Sequence, residues 1–325
     1  MSGFTSLNYC NFSANQCFYD IFRTYENTFF ITRCLLRTFA LRPTEIAQVS
    51  ERYSGRHRLV KHAILGESVK RVTLNVQPLD ALKMKKEMNK IVNTFEYSVA
   101  PESIDYQGHA TVPSICGSII NAIGQNIRRE GCGIDVMRNA GRSWVLLRSA
   151  FEIDERPTLY DNYNVKVWPV KGKGLTYNRC VKLTDSEGEE IGRGTTEWCV
   201  IDIGTRKPIF PELGLTDVDI PIPCKSPRRI TDFLPDFIKH KEIGYSECDF
   251  NGHLNNTHYI EMCYNLLPES VLSSGLFTRI DINFRREVHR GDDVTFGIRK
   301  ASDEEYLFMA KAGDATLCHA SLQAV

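Results

Sequence analysis

The sequence of 325 residues has no run of about 18 uncharged apolar residues, which a helix needs to cross a bilayer. Its start has neither a basic region nor a continuous apolar core, the marks of a secretory signal. We therefore expect a cytoplasmic protein with no membrane partner. None of the eleven cysteines forms a Cys-x-x-Cys pair. We therefore expect no metal site, and reduced thiols throughout.

A net charge is also absent, because 40 basic residues balance 40 acidic ones. The distribution is uneven: residues 1–93 hold 14 basic and 7 acidic residues, which leaves 26 basic and 33 acidic residues for the remainder. A body with an acidic excess lacks the dense basic face that nucleic acid requires, so we exclude nucleic acid as a general partner. The composition, 42% hydrophobic and 25% charged, is typical of a globular protein with a sizeable core.

Residues 1–93 differ from the rest of the chain. Aromatic residues cluster near their start without a helical or strand period, and a basic stretch follows. We interpret them as an extra, poorly ordered segment, or as translated upstream sequence with the true start at Met84 or Met88. A transit peptide is a third interpretation, which the scarcity of serine disfavours. A second boundary lies at 208–232, where five of the 13 prolines fall close together and indicate a linker.

The chain from residue 94 onward contains an internal repeat. Asp105-Tyr106-Gln107-Gly108-His109 matches Asp249-Phe250-Asn251-Gly252-His253 at an offset of 144 residues. Later in the two halves the offset falls to 131, because the first half has 13 extra residues. We predict two α+β domains, 94–207 and 233–325, each a helix followed by a mostly antiparallel sheet. The interface between two such halves is a natural place for a site.

The sequence predicts one helix and four strands in each half. In the first half, Thr111 is a suitable N-cap, an apolar stripe of isoleucines follows at every fourth position, and Gly131 can end the helix. In the second half, Asn255 or Asn256 caps the helix and Pro268 stops it. The strand-like runs are 144–153, 164–170, 175–183 and 191–203 in the first half, and 277–284, 293–300, 306–312 and 316–325 in the second.

The second copy of the repeat carries the candidate chemistry. Asp249, Asn251 and His253 alternate on an extended segment that enters a helix, so they present three polar groups toward one side. N–H groups at the helix start add a positive partial charge that suits an oxyanion. Taken alone, the pattern fits a plain Asn-Gly turn with a half-buried histidine at least as well.

Divergence between the two copies favours a catalytic site. Glu287 aligns with Arg156 at the offset of 131, and Asn251 aligns with Gln107. Two carboxylates beside an asparagine and a histidine therefore survive in the second half alone. A duplicated enzyme with one working site would show this asymmetry.

Residues 94–325 resemble the acyl-ACP thioesterases of plants and bacteria. The resemblance rests on the Asp-x-Asn-x-His-x-Asn-Asn pattern at 249–256 and on Arg-Arg-Glu at 285–287. It implies a double hotdog fold, in which each long helix is wrapped by its sheet. It also implies an acyl-binding first half and a catalytic second half that hydrolyses fatty acyl-[acyl carrier protein], releasing the fatty acid and ending chain elongation. The implied partner is acyl carrier protein with a phosphopantetheine-linked acyl chain. No cofactor is implied, and a homodimer is left open.

Four residues receive catalytic roles on this basis. Asp249 would be the nucleophile or the base that activates water, and Glu287 would orient the water or accept its proton. Asn251 and His253 would fix the carboxylate and the carbonyl. Plant members have a cysteine after the glutamate, and here that position is Val288, so that cysteine cannot be needed for the reaction if this protein hydrolyses thioesters.

Two basic groups are candidates for contact with the acidic carrier. One is the set of Lys171, Lys173 and Arg179, which is more simply a solvated hairpin face, and the other is the pair Arg285 and Arg286. Two other functions stay open as alternatives. An acyl-CoA thioesterase shares the fold but needs a phosphate-binding basic cluster that is not evident. A non-catalytic acyl-binding module would require neither carboxylate.

Overall fold

The computed structural model describes residues 58–65, 68–75, 91–213, 218–275 and 277–324. The chain divides into two compact units, Met1–Met88 and Asn89–Val325. In the first unit, strands β1 (Arg58–Leu65) and β2 (Ser68–Asn75) form an antiparallel hairpin. The rest of residues 1–90 lies outside the described residues, and so do the predictions of poor order and of a start at Met84 or Met88.

The second unit consists of two similar halves. The first half contains β3 (Asn93–Ser98), α1 (Val112–Arg129), α2 (Ile134–Asn139), β4 (Arg142–Ile153), β5 (Asn162–Val170), β6 (Tyr177–Asp185), β7 (Glu190–Asp202) and the short β8 (Pro208–Ile209). The second half contains β9 (Phe237–Glu242), α3 (Asn256–Tyr264), α4 (Glu269–Leu272), β10 (Phe277–Phe284), β11 (Asp293–Ser302), β12 (Glu305–Ala312) and β13 (Ala315–Ala324). Each predicted strand end lies within two residues of the observed one, which confirms the strand predictions.

One antiparallel sheet runs through both halves in the order β3-β5-β6-β7-β4-β10-β13-β12-β11-β9. Counted from its two outer edges, the sheet has the same strand order in each half. The halves meet where β4 pairs with β10, for example with Phe151 opposite Ile280. Both of these residues are buried. The arrangement confirms the α+β class and the double hotdog fold.

Backbone hydrogen bonds confirm the duplication and its two offsets. Tyr160 N donates to Val99 O (3.0 Å), and Gly291 N donates to Ile243 O (2.9 Å). The two acceptors differ by 144 positions and the two donors by 131, so the extra residues of the first half lie between them. Tyr160 has a φ of 70° and Gly291 a φ of 85°, so the tyrosine adopts the left-handed conformation that glycine accommodates more easily.

Helix α1 forms as its sequence predicts. The side chain of its N-cap, Thr111, accepts a hydrogen bond from Ser114 N (3.2 Å). Its isoleucine stripe faces the core, with side chains between 0% and 4% exposed; the four residues are Ile115, Ile119, Ile123 and Ile127. Burial of each stabilises the fold by about 1.5–3 kcal/mol, which is far more than the helix would gain from propensity alone.

Helix α3 begins as predicted, at the N-cap Asn255, but it has nine residues against the 18 of α1. The resemblance implied a long helix in each half, and the second helix is shorter than that. The prediction that Pro268 stops this helix is wrong, because α3 ends at Tyr264 and Pro268 is instead the N-cap of α4. Proline fits a helix start as well as a helix stop, since the first turn leaves its N–H groups unpaired in any case.

The linker between the halves is hydrogen-bonded along β10. Arg228 N donates to Asp281 Oδ1 (2.8 Å), and Ile230 N donates to Asn283 Oδ1 (3.0 Å). The Asn283 amide in turn donates to Arg228 O (2.8 Å). Buried polar side chains of the sheet thus satisfy the backbone of a proline-rich segment. Within the described ranges, no helix is both long and apolar enough to span a membrane.

Candidate active site

The residues from Asp249 to His253 form a tight turn just before α3. Asp249 N donates to His253 O (2.7 Å), and Gly252 N donates to Asp249 O (2.9 Å). Gly252 has a φ of 76°, a conformation that residues with a Cβ rarely adopt, so glycine lets the turn close. The turn fixes the polar side chains of the motif relative to the start of α3.

The Asp249 carboxylate is anchored through one of its two oxygens. Oδ1 accepts hydrogen bonds from the backbone N–H groups of Asn251 (2.8 Å) and His253 (3.2 Å). Oδ2 lies 3.5 Å from the Asn251 side-chain nitrogen. Among the described residues, no cationic side chain is paired with Asp249. One oxygen is therefore held in place, while the other can meet a ligand.

Pairing between two segments brings Glu287 beside His253. Leu254 N donates to Val288 O (2.8 Å), and an isolated bridge joins His253 to His289. The imidazole rings of His253 and His289 meet edge to face, with centroids 4.8 Å apart. Glu287 Oε1 then lies 3.5 Å from His253 Nδ1. The structure thus brings the four predicted residues together as two neighbouring pairs, Asp249 with Asn251 and His253 with Glu287.

Glu287 has a second partner that the sequence did not indicate. Its Oε2 accepts a hydrogen bond from Nη2 of Arg206, in the turn between β7 and β8 of the first half. Arg206 lies 81 residues earlier, beyond β7, which is the last strand of the first half with a counterpart in the second, so comparing the copies could not find it. Glu287 therefore lies between a histidine of its own half and an arginine of the other half.

The first copy has the same backbone but different electrostatics. Asp105 Oδ1 accepts from the N–H groups of Gln107 (2.9 Å) and His109 (3.2 Å), as its counterpart does. Asp105 Oδ2, however, accepts a hydrogen bond from Arg156 Nη1 at 2.5 Å. Burial raises the pKa of Asp105, but the bonds from Arg156 and the backbone outweigh it, so the pKa is lowered overall. An ion pair occupies the place where the second half has an open carboxylate.

Two N–H groups at the start of α3 are used by the helix's own cap. Thr257 N donates to the Asn255 side chain (3.0 Å), and His258 N donates to Asn255 O (3.0 Å). These two N–H groups are used by the helix cap, so they are not available to an oxyanion. The side chains of Asn251 and His253, and the N–H group and side-chain amide of Asn256 at the first position of α3, are donors that these cap bonds do not use.

Two exposed aromatic rings at the motif each contact the guanidinium group of an arginine. One is Phe250, within the motif, and the other is Tyr245, shortly before it. The Arg138 Cζ of α2 lies 5.7 Å from the centroid of the Phe250 ring, and the Arg290 Cζ lies 5.9 Å from that of Tyr245. Phe250 is 57% exposed and Tyr245 is 81% exposed. The edge of the site is therefore both basic and aromatic, with one arginine from each half.

Arg179 does not lie on a solvated surface. Its side chain is 2% exposed and pairs with Glu130 Oε2 at 2.6 Å, so the prediction of a carrier contact at Arg179 is wrong. Burial raises the pKa of Glu130 to about 7, against the opposing effect of Arg179. Lys171 and Lys173 are exposed. Arg179 faces the end of α1, where its charge is matched by the helix C-cap residue.

Two family models match the chain, and together they span well over half of it. The acyl-ACP thioesterase N-terminal domain matches residues 90–212, and the acyl-ACP thioesterase C-terminal domain matches residues 235–319. The four candidate residues lie within the second match.

Individual acyl carrier protein thioesterases are similar to this chain over most of its length. Oleoyl-acyl carrier protein thioesterase 2, chloroplastic, of Arabidopsis thaliana is 23% identical over 268 residues, which are 73% of this chain and 72% of that protein. The crystal structure of an acyl-ACP thioesterase from Bacteroides thetaiotaomicron VPI-5482 has a TM-score of 0.68 and 27% identity, covering 73% of this chain and 98% of that one. The 12:0-ACP thioesterase from Umbellularia californica shares the fold at a TM-score of 0.64 and 17% identity, covering 71% and 96%.

Proposed function

Since this chain belongs to the acyl-ACP thioesterase family, whose members are thioester hydrolases, we propose that it hydrolyses fatty acyl chains from acyl carrier protein. The products are a free fatty acid and the thiol of the carrier, and the release ends chain elongation. The observation that carries the proposal is the difference between the two copies. Arg156 forms an ion pair with Asp105, whereas Asp249 has one open oxygen. In the second half, Glu287 instead lies beside His253.

The chemistry of a thioester fits this set of groups. Its carbonyl carbon is electrophilic and its thiolate is a good leaving group, so water needs a base, an oriented carbonyl and a proton for the sulfur. A C–O bond forms between water and the carbonyl carbon, the C–S bond breaks, and one proton of the water ends on the sulfur. No redox step or electron carrier is involved.

We assign the attack to the open oxygen of Asp249. Because Oδ1 is held by two backbone N–H groups, Oδ2 keeps a fixed direction relative to the substrate. It either takes a proton from the attacking water, or attacks the carbonyl carbon itself to give an anhydride that water then hydrolyses, and the Asn251 amide steadies it in both routes. Positioning of this kind contributes more to the rate than the intrinsic basicity of a carboxylate.

We assign the proton transfer to His253 and Glu287. Glu287 beside Nδ1 favours the tautomer with the proton on that nitrogen, so Nε2 can receive the proton that Asp249 takes from the water and pass it to the leaving sulfur. The contact of 3.5 Å is long, as catalytic contacts are before substrate binds. The first half, 94–207, would hold the acyl chain, 208–232 would connect the halves, and 233–325 would carry out the reaction.

We place the carrier protein at the arginines of the site's edge. A carrier that delivers its acyl chain must lie close to the motif, and Arg138 and Arg290 lie directly beside it. Their charges complement an acidic carrier even though the remainder of the body has an acidic excess. Lys171 and Lys173 stay a second candidate surface.

Thiol release from acyl carrier protein and from CoA tests the function. The full chain is offered acyl-ACPs of graded length and the matching acyl-CoAs. We expect faster release from the carrier and a preferred chain length. Equal or faster release from CoA would make the protein an acyl-CoA thioesterase. A folded protein that releases neither thiol would be an acyl-binding module.

A further inference from the structure

Glu287 is held by a residue of the opposite half. We propose that Arg206 is a positioning residue, which fixes Glu287 so that its other oxygen faces His253. This inference rests on the proposed thioester hydrolysis. It gives the first half a part in the reaction besides the binding of substrate.

The turn that carries Arg206 is built to hold it in one place. Asp202 Oδ1 accepts hydrogen bonds from Thr205 N (2.7 Å) and Thr205 Oγ1 (2.8 Å). Arg206 N donates to Asp202 O (2.9 Å), and Asp202 N donates to Lys207 O (3.0 Å). A single aspartate therefore closes the turn through both its backbone and its side chain.

The backbone of Arg206 is itself unusual. Its φ is 59°, in the left-handed region that residues with a Cβ rarely occupy. Among the described residues, Tyr160 is the other non-glycine residue with a positive φ. The hydrogen bonds of the turn over-determine this conformation, and it directs the guanidinium across to Glu287.

The duplication explains why the cation comes from the other half. In the first half, the position of Glu287 is occupied by Arg156, which supplies a positive charge directly to Asp105. In the second half that position is a carboxylate, Glu287, and it contacts His253, whose backbone N–H is bonded to a second carboxylate, Asp249. Two carboxylates in one site repel each other unless a cation offsets them. Arg206 supplies this cation without occupying the open oxygen of Asp249.

Arg206 and His253 contact different oxygens of the Glu287 carboxylate, and this gives Arg206 its role. With Oε2 on the guanidinium, Oε1 is the oxygen left for Nδ1 of His253. Without Arg206, the carboxylate is free to rotate, and the contact that selects the histidine tautomer is lost for part of the time. The loss acts on the chemical step and leaves substrate affinity in place.

Steady-state kinetics with matched variants test this role. We expect Arg206→Gln to lower kcat about tenfold or more with little change in KM, which is within the range that a small misplacement produces. Arg206→Lys should recover most of the rate, because it keeps the charge. Lys207→Gln removes the same charge from the next residue and should leave kcat unchanged. An equal loss in the Lys207 variant, or a rise in KM alone for the Arg206 variant, would overturn the proposal.

A double-mutant cycle separates positioning from a general effect on the fold. If Arg206 acts through Glu287, Arg206→Gln should add no more than about a twofold loss when Glu287→Gln is already present. If the two losses multiply, Arg206 acts independently of Glu287 and the proposal is wrong.

A spectroscopic measurement keeps the test independent of turnover. The imidazole ¹⁵N signals of His253, identified by their absence in His253→Gln, report the contact at Nδ1. We expect Arg206→Gln to shift them as Glu287→Gln does, while Lys207→Gln leaves them in place. Unshifted signals in the Arg206 variant would overturn the proposal. An inactive wild-type protein would instead overturn the proposed hydrolysis, and the NMR comparison would still decide the role of Arg206.

Discussion

Arg156 and Glu287 occupy equivalent positions in the two halves of the chain and make opposite electrostatic contacts. Arg156 donates to the carboxylate of Asp105 at 2.5 Å, whereas Glu287 lies 3.5 Å from His253. The backbone around both positions is the same. The two halves therefore share a backbone but differ in charge at this one position. The first half has an ion pair there, and the second half keeps the carboxylate of Asp249 open.

The ion pair of the first half should make stability depend on pH. Because Arg156 helps to lower the pKa of Asp105 in the folded state, the pair stabilises the fold above the ordinary aspartate pKa of 3.8. That contribution is lost as the pH falls through the lowered value. Arg156→Gln should therefore lower the free energy of unfolding by about 1 kcal/mol near neutral pH, and by less in acid.

Urea unfolding at neutral pH and below the aspartate pKa measures this difference. Asp105→Asn in the Arg156→Gln background should cost little more, because the pair is already broken. A gap between wild type and Arg156→Gln that stays the same at both pH values would show that the ion pair is not its cause.

A cysteine at position 288 should not change the reaction. Val288 is 1% exposed and packs in the core, and its carbonyl accepts a hydrogen bond from Leu254. The side chain therefore points away from solvent and into the packed core. We expect Val288→Cys to keep kcat within about twofold, since valine and cysteine differ little in volume.

Thiol alkylation completes the comparison at position 288. The variant and the wild type are treated with iodoacetamide in parallel, because the chain has other cysteines. Both should lose activity at the same rate. A tenfold gain in kcat, or selective inactivation of the variant, would place a reactive thiol in the site.

The carrier protein should be sensitive to charge at the edge of the site. Reversing both charges with Arg138→Glu and Arg290→Glu should raise KM for acyl-ACP about tenfold or more, most strongly at low salt. Release from a small acyl thioester that lacks the carrier should stay unchanged, which controls for damage to the neighbouring Phe250 and Tyr245. The matched comparison is Lys171→Glu with Lys173→Glu. A larger effect from the lysine pair would move the carrier to that hairpin.

Periodic sequence signals were sufficient for most of the fold. The isoleucine stripe predicts α1 because burial decides that helix, and the repeat predicts the antiparallel strands of each half, which the structure joins into one sheet. The end of α3 was not predictable, since Pro268 fits a helix start as well as a stop. Arg179 was misjudged because it follows exposed lysines. Its alternation with Val181 and Leu183, which both face the core, was the signal for burial.

Part of the candidate site was also predictable, because local sequence patterns and the repeat point to four of its residues. Asp249, Asn251 and His253 are close in sequence, and the repeat supplied the alignment that singled out Glu287. Arg206 was missed because its contact joins two halves across 81 residues and no local pattern records it. Charges that meet only after folding are visible in a structure and not in a single sequence.

The rates of Asp249→Asn and Asp105→Asn, measured side by side on acyl-ACP, test most directly whether one half alone carries out the reaction. The two substitutions are chemically identical and fall at equivalent positions. Asp249→Asn should lower kcat by about 10²–10⁴, the range for loss of a catalytic acid or base, while Asp105→Asn should keep kcat and lose only stability. Equal losses of kcat in both variants, or an active Asp249→Asn protein, would contradict a single site in the second half.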